Sequence, residues 1–100
     1  IGFVDITDPS APVGLGSLTL DGEPTSVAVA GAHALVAVNT SPSFVAPTGK
    51  LVVVNIATRT VVAELDLGGQ PDSVAVSKDG RLLYFTVAST ENDIWMLDLN

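Results

Sequence analysis

The sequence predicts an all-β chain built of β-propeller blades, each a four-stranded antiparallel sheet, and three observations predict it. First, Gly22-Glu23-Pro24-Thr25-Ser26-Val27-Ala28-Val29 returns 47 positions later as Gly69-Gln70-Pro71-Asp72-Ser73-Val74-Ala75-Val76, with Gly, Pro, Ser and Val-Ala-Val in register. A self-similar unit of about 40 to 50 residues, made of short apolar runs and turns, is the sequence form of one such blade. Second, apolar residues make up 47% of the chain and β-branched types dominate them, which favours strands. Third, no long stretch keeps a helical period.

Taken in order, Ile1 to Ile6 is an apolar strand stopped by Thr7-Asp8-Pro9-Ser10-Ala11-Pro12, a turn-forming stretch. Val13 to Leu20 is a second strand, weakened by Gly14 and Gly16. Asp21-Gly22-Glu23-Pro24 turns into a short strand, Ser26 to Ala30; Gly31-Ala32-His33 is a hairpin turn into Ala34 to Asn39. Thr40 to Gly49, with Pro42, Pro47 and Gly49, is a loop. Lys50 to Ile56 is strongly apolar, and Ala57-Thr58-Arg59-Thr60 turns into Val61 to Leu67. The second copy then runs Ser73 to Ser77, turn Lys78-Asp79-Gly80, Arg81 to Val87, loop Ala88 to Asp93, and strand Ile94 to Leu99.

Periodicity separates these strands by environment. Leu51-Val52-Val53-Val54 is apolar on both faces, as a strand sandwiched between neighbouring sheets must be. Val62, Glu64 and Asp66 alternate with Val61, Ala63, Leu65 and Leu67, so that strand has one wet face. With strands lettered A to D from the propeller axis outward, A, B and C are expected to be buried on both faces and D on one. Residues 1–20 are then strands C-D of a first blade, 21–67 a complete blade A-D, and 68–100 strands A-C of a third. That is about two blades plus one strand, an incomplete ring with apolar faces and unpaired edges at each end. The chain is a piece of a longer propeller, or a unit that assembles with copies of itself, or packs in some other way. In the first two readings its partners are further blades, from the same or another copy of the chain.

Composition removes several function classes. The net charge is −7 and the cations are Lys50, Arg59, Lys78 and Arg81, too few to neutralise nucleic-acid phosphates or to favour an anionic membrane surface. The longest nearly apolar run, Val27 to Val38, contains Gly31 and His33 and is too short to span a bilayer, so no membrane insertion is expected. The amino end shows no signal-peptide pattern and no initiator Met, as in a processed, excised or engineered chain. Cysteine is absent, which excludes disulfides and thiolate metal sites.

Two segments carry a family resemblance. Gly69 to Tyr84 resembles the bacterial YVTN-type β-propeller repeat, and Phe3-Val4-Asp5-Ile6-Thr7-Asp8-Pro9-Ser10-Ala11-Pro12 resembles the related LVIVD-type repeat, in which a strand ends at an Asp before a Pro-containing turn. Over Val4 to Arg81 the chain is similar to the propeller of choice-of-anchor bacterial surface proteins, some of which carry phytase-like esterase or alkaline phosphatase names. Thr90 to Leu99 looks closer to strand C of TolB-like propellers. The resemblance implies a propeller in an extracytoplasmic setting, periplasmic or at the cell surface; for activity it is poor, because propellers host many unrelated functions.

Candidate sites follow from the blade template. It sends the D-to-A and B-to-C connections to one rim, which receives Asp21, Glu23, Asp72, Glu91 and Asp93 with Lys50 nearby. The opposite rim receives Arg59, Lys78 and Arg81 beside Asp8 and Asp79. An acidic mouth attracts a divalent cation, calcium above all, or a basic partner. Asp and Glu also favour turns for conformational reasons, and no Asp-rich calcium loop is written here. His33 is the one histidine, falls in a hairpin on the opposite rim, and reads as an exposed turn residue without a triad. Trp95 and Met96 lie in a strand and read as core. Asp5, Asn55 and Asp98 end equivalent strands and read as Asx-type caps of the following turns. No catalytic residue is assigned. The expectation is a scaffold or binding module with no cofactor and an unidentified ligand. The alternatives are part of an extracytoplasmic calcium-dependent hydrolase of phytase or esterase type, with calcium on the five carboxylates, and an engineered self-assembling unit.

Overall fold

The computed structural model describes residues 1–41, 48–88 and 94–98, with side chains described as far as Thr86. Nine strands run through the described residues, in three antiparallel sheets that follow one another along the chain. β1 (Gly2–Asp5) and β2 (Val13–Ser17) form the first sheet. β3 (Glu23–Ala30), β4 (His33–Asn39), β5 (Gly49–Asn55) and β6 (Thr60–Asp66) form the middle one. β7 (Gln70–Val76), β8 (Leu82–Ala88) and β9 (Ile94–Asp98) form the third. Every pairing is between sequence neighbours, so each sheet is a simple meander, and the expected two, four and three strands are all present.

The middle sheet is apolar on both faces because both faces are covered. Ala34, Val36 and Val38 of β4 and Val52 and Val54 of β5 bury against Ile1, Phe3, Leu18 and Leu20 of the first sheet and its flank. One residue out of phase, Leu35 and Leu51 pack with Leu83 and Phe85 of the third sheet. The period of two thus sends alternate side chains into two separate cores. Val36, Val38, Val52 and Val54 are almost wholly removed from water, at 0–1% exposure.

The repeat is structural as well as textual. β3 pairs with β4 through a bulge between Pro24 and Ser26, and β7 pairs with β8 through a bulge between Pro71 and Ser73. Proline has no N–H for a ladder bond, so a bulge on an edge strand is where a strand can hold one. Pro24 and Pro71 therefore lie inside β3 and β7, and not in the preceding turns as the residue types suggest. The hairpin turns differ in length, with Gly31 at φ 58° in the shorter and Gly80 at φ 74° in the longer. Both bulges leave one residue unpaired, Thr25 and Asp72.

Several sequence expectations need correction: β1, a strand C of the template, has three of its four residues exposed, and His33 is a half-buried residue of β4 and not an exposed turn residue. β3 is not buried on both faces: Val27 is 54% and Val29 62% exposed, because the two-stranded first sheet does not reach across to them. β6 has no dry face; all seven of its residues are exposed, and Leu67, just past its end, is the one that buries. Val53, placed in the core by its apolar neighbours, is half-buried beside the third sheet. Trp95 and Met96 stand opposite Phe85 and Tyr84 in the ladder, with their side chains outside the described residues.

Two stability predictions follow. Val52→Asp places an unpaired carboxylate where no water reaches, at a cost of several kcal/mol against a total of about 5–15 kcal/mol; the variant is expected to be unfolded or aggregated by circular dichroism, and a soluble variant with an unchanged melting temperature refutes the placement. Gly49 sits where a Cβ would overlap Pro71 Cδ and the Gly69 carbonyl, at the seam of the middle and third sheets. Gly49→Ala should cost about 1–3 kcal/mol in denaturant unfolding. Gly14→Ala faces open space and should cost nothing.

Candidate functional site

The meander topology fixes which loops share an end of the stack. The β2–β3 and β6–β7 connections lie beside the described ends of the β4–β5 connection: Asn39 and Thr40 crowd Gly22, and Gly69 and Pro71 crowd Gly49. Asp21 and Lys50 meet at this end, with Lys50 Nζ 3.9 Å from Asp21 Oδ2 and 2.9 Å from Glu64 Oε1. The lysine is mostly covered, Asp21 fully exposed, so the stronger contact is the one to Glu64. Lys50 stands directly opposite Asp66 and two residues from the pair Val52–Glu64, which is how the β5–β6 register brings the ammonium to Glu64. A polar cleft of about 290 Å³ opens here, lined by Thr40, Thr48, Gly49, Lys50, Glu64, Leu65 and Asp66. The Thr40 and Thr48 hydroxyls are 2.9 Å apart, and Ser41 Oγ both donates to Thr48 O and accepts from Thr48 N.

The five carboxylates named from the sequence fare differently. Asp21 is in a loop, whereas Glu23 and Asp72 belong to β3 and β7, Glu23 opposite Asn39 and Asp72 at the bulge. Glu91 and Asp93 lie outside the described residues. Among the described residues, no three His, Asp or Glu side chains come close enough to hold a metal ion together. Glu64 and Asp66, the wet face of β6 in the sequence pattern, neighbour Lys50 through the β5–β6 register, which the apolar pattern of Leu51 to Val54 fixes only once the β5–β6 turn length is known. His33 opens β4 opposite Ala30 and Asn55 and is half-buried, lining a cleft with Ala30, Leu35, Val53 and Gly80.

At the opposite end, short polar side chains hold the turns. Asp5 Oδ1 accepts from Thr7 Oγ1 at 2.6 Å and Thr7 N at 2.8 Å, and Asn55 Oδ1 accepts from Thr58 N at 3.1 Å. These are the Asx-type caps expected at strand ends; the third, Asp98, has its side chain outside the described residues. Asp8 Oδ1 accepts from Ser10 Oγ and N, and Asp79 Oδ1 from Ser77 Oγ and Arg81 N. Arg59, at φ 57°, completes the β5–β6 turn, its N–H donating to Asn55 O at 2.7 Å.

A third feature was not read from the sequence. The middle and third sheets are stitched by two hydroxyls at the inner strands. Thr25 Oγ1 shares its proton between Pro71 O at 3.2 Å and Ala37 O at 3.3 Å, and Ser26 Oγ accepts from Val74 N at 3.3 Å. On the other side of β3 lies a cleft of about 320 Å³ lined by Ile1, Gly2, Pro24, Thr25, Ser26, Val27 and Val36.

Comparison with family models places this arrangement. The model of the Choice-of-anchor I domain matches residues 1–93. The chain belongs to that family. Comparisons with curated proteins and with solved structures gave no match. In this choice-of-anchor I chain the match runs across all three sheets and stops just short of β9.

The Asx-type caps carry a pH signature. Hydrogen bonds from Thr7, hydroxyl first and amide second, hold the Asp5 carboxyl below its ordinary 3.8; Ser10 does the same for Asp8. The Ser77 hydroxyl and the Arg81 amide lower Asp79. Each group binds its proton more weakly folded than unfolded, so its contribution to stability is complete above 3.8 and is lost as pH falls through the lower folded value. Carboxyl NMR titration should place all three midpoints below 3.8, and Thr7→Val should return that of Asp5 toward it.

Proposed function

We propose that the chain is a non-catalytic segment of a β-propeller that serves a choice-of-anchor protein as scaffold or binding module outside the cytoplasm. One observation carries the reading. Three antiparallel meanders stack face to face, and the repeat at 47 residues relates the middle sheet to the third, as successive blades around an axis are related. The choice-of-anchor description of the family supports a surface-anchored, extracytoplasmic setting. The chemistry of these side chains supports binding over turnover. The one histidine lines a largely apolar cleft, the covered lysine is engaged by carboxylates, and the exposed acids at the other end serve as turn caps. The YVTN-type and LVIVD-type kinship belongs to the same proposal, as does the four-strand blade as the unit of architecture.

The rival is a calcium-dependent hydrolase of phytase or esterase type, with the cation on Asp21, Glu23, Asp72, Glu91 and Asp93. Calcium calorimetry with parallel assay of p-nitrophenyl phosphate and p-nitrophenyl acetate separates the two. The expected result is no binding tighter than millimolar and no turnover. A tighter calcium isotherm lost in Asp72→Ala, with calcium-dependent release of p-nitrophenol, transfers the assignment to the hydrolase.

A further inference from the structure

We propose that the outer edge of β6 is a docking site for an extended, cationic peptide segment of a partner protein, added to the middle sheet as a further strand. β6 is an edge by its place in that sheet, whose strand order is β3-β4-β5-β6. Among the described residues β5 is its one ladder partner, and all seven of its residues are exposed.

The register states which backbone groups this edge offers. Leu67 N donates to Gly49 O at 2.9 Å, and the pairs Leu65–Leu51 and Ala63–Val53 continue that register. Bonded pairs alternate with non-bonded ones in an antiparallel ladder, so Leu65 and Ala63 spend their N–H and C=O groups on β5. Glu64 and Asp66 turn theirs outward. The other side of β5 agrees: Ile56 N donates to Ala32 O, which assigns Val52 and Val54 to β4 and leaves Leu51 and Val53 to β6. The bulge at Val53/Val54 interrupts the ladder beyond Ala63, so the docking segment is Ala63 to Asp66.

The side chains select the occupant. A residue that exchanges both hydrogen bonds with Glu64 or Asp66 stands beside it on the same face, with Cβ atoms about 5 Å apart. Around this place three carboxylates, of Asp21, Glu64 and Asp66, surround the one ammonium of Lys50. Lys50 engages Glu64 Oε1 and Gly68 N donates to Asp66 Oδ1, so each of these two carboxylates has a second oxygen for a cation. The polar cleft that both line gives the incoming side chain room. On the opposite face of β6 stand Ala63 and Leu65, the latter 47% exposed, which suit apolar partners. The occupant therefore alternates lysine or arginine with apolar residues. This is β-strand addition, in which main-chain bonds attach and alternate side chains discriminate. A second copy of the chain fails on charge, because β6 against β6 sets Glu64 and Asp66 beside their like. The inference rests on the binding-module reading and names the chemistry of its partner.

The probe is an acetylated, amidated heptapeptide that alternates lysine and valine, titrated into the full chain by calorimetry at low salt. It should bind with a Kd of about 0.1 mM and slow amide exchange at Glu64 and Asp66. N-methylation of the peptide's lysine amides, which face β6, should abolish binding, whereas N-methylation of its valine amides should leave it. Glu64→Gln with Asp66→Asn keeps the contacts to Lys50 and Gly68 and should weaken binding about tenfold or more. An otherwise identical peptide with glutamate for lysine should bind the unaltered chain at least as poorly. Four results overturn the proposal: no binding at millimolar peptide, equal binding by the lysine-methylated peptide, equal binding by the neutralised variant, or a dimer of the chain alone that the peptide dissociates. Loss of the docking site in any of these ways leaves the non-catalytic scaffold standing, since the calcium and turnover assays test that reading separately.

Discussion

A sheet that is apolar on both faces has to be covered on both, and the rest of the structure depends on that constraint. β4 and β5 carry runs such as Ala34-Leu35-Val36-Ala37-Val38, all buried. A strand of this kind has no orientation that leaves one side to water, so neither hydrophobic face can serve as a surface. The first sheet, two strands wide, covers one core and the third sheet covers the other. Neither flanking sheet buries its own far face: Val4 on one side and Tyr84 on the other remain exposed. Burial thus decreases outward from the middle sheet, and the two outer layers owe their order to it.

Apolar faces that stack are free to slide, because burial is nearly indifferent to register. Direction has to come from polar contacts, and here it comes from a few at one seam. The Thr25 and Ser26 hydroxyls lock onto the β7 backbone at Pro71 and Val74. Gly49, lacking a Cβ, lets the middle sheet approach Pro71 and Gly69. Both devices sit where Pro creates a bulge, and a bulge on an edge strand frees backbone groups that an uninterrupted ladder would consume. The prolines thus do two things at once, ending the ladder locally and opening the place where the next sheet attaches.

Much of this was legible in the residues. The nine strands, their meander order and the doubly apolar character of β5 follow from alternation, turn residues and the repeat, since these depend on near neighbours in sequence. The strand starts at Glu23 and Gln70 were hidden because proline reads as a breaker, and its tolerance depends on an edge position that only the folded sheet defines. The caps at Asp5 and Asn55 were legible for the opposite reason: an Asx turn is satisfied within three residues. Lys50 with Glu64 was not, because that contact depends on a register two strands deep. The acidic set was legible only as a list of positions on one rim. Three of its members are spread over a loop, a strand start and a bulge, and in that spread local chain geometry, and not a shared ligand, accounts for where each one stands.

Exposure, then, belongs to the neighbourhood and not to the motif. Tyr84 occupies in β8 the ladder position that Leu35 occupies in β4, opposite Ala75 as Leu35 is opposite Ala28. Leu35 is buried and Tyr84 is 38% exposed. The same inequality, reversed in direction along the stack, separates Val27 and Val29 from Val74 and Val76. Two strands therefore report that equivalent positions of the repeat differ in exposure according to which sheet faces them.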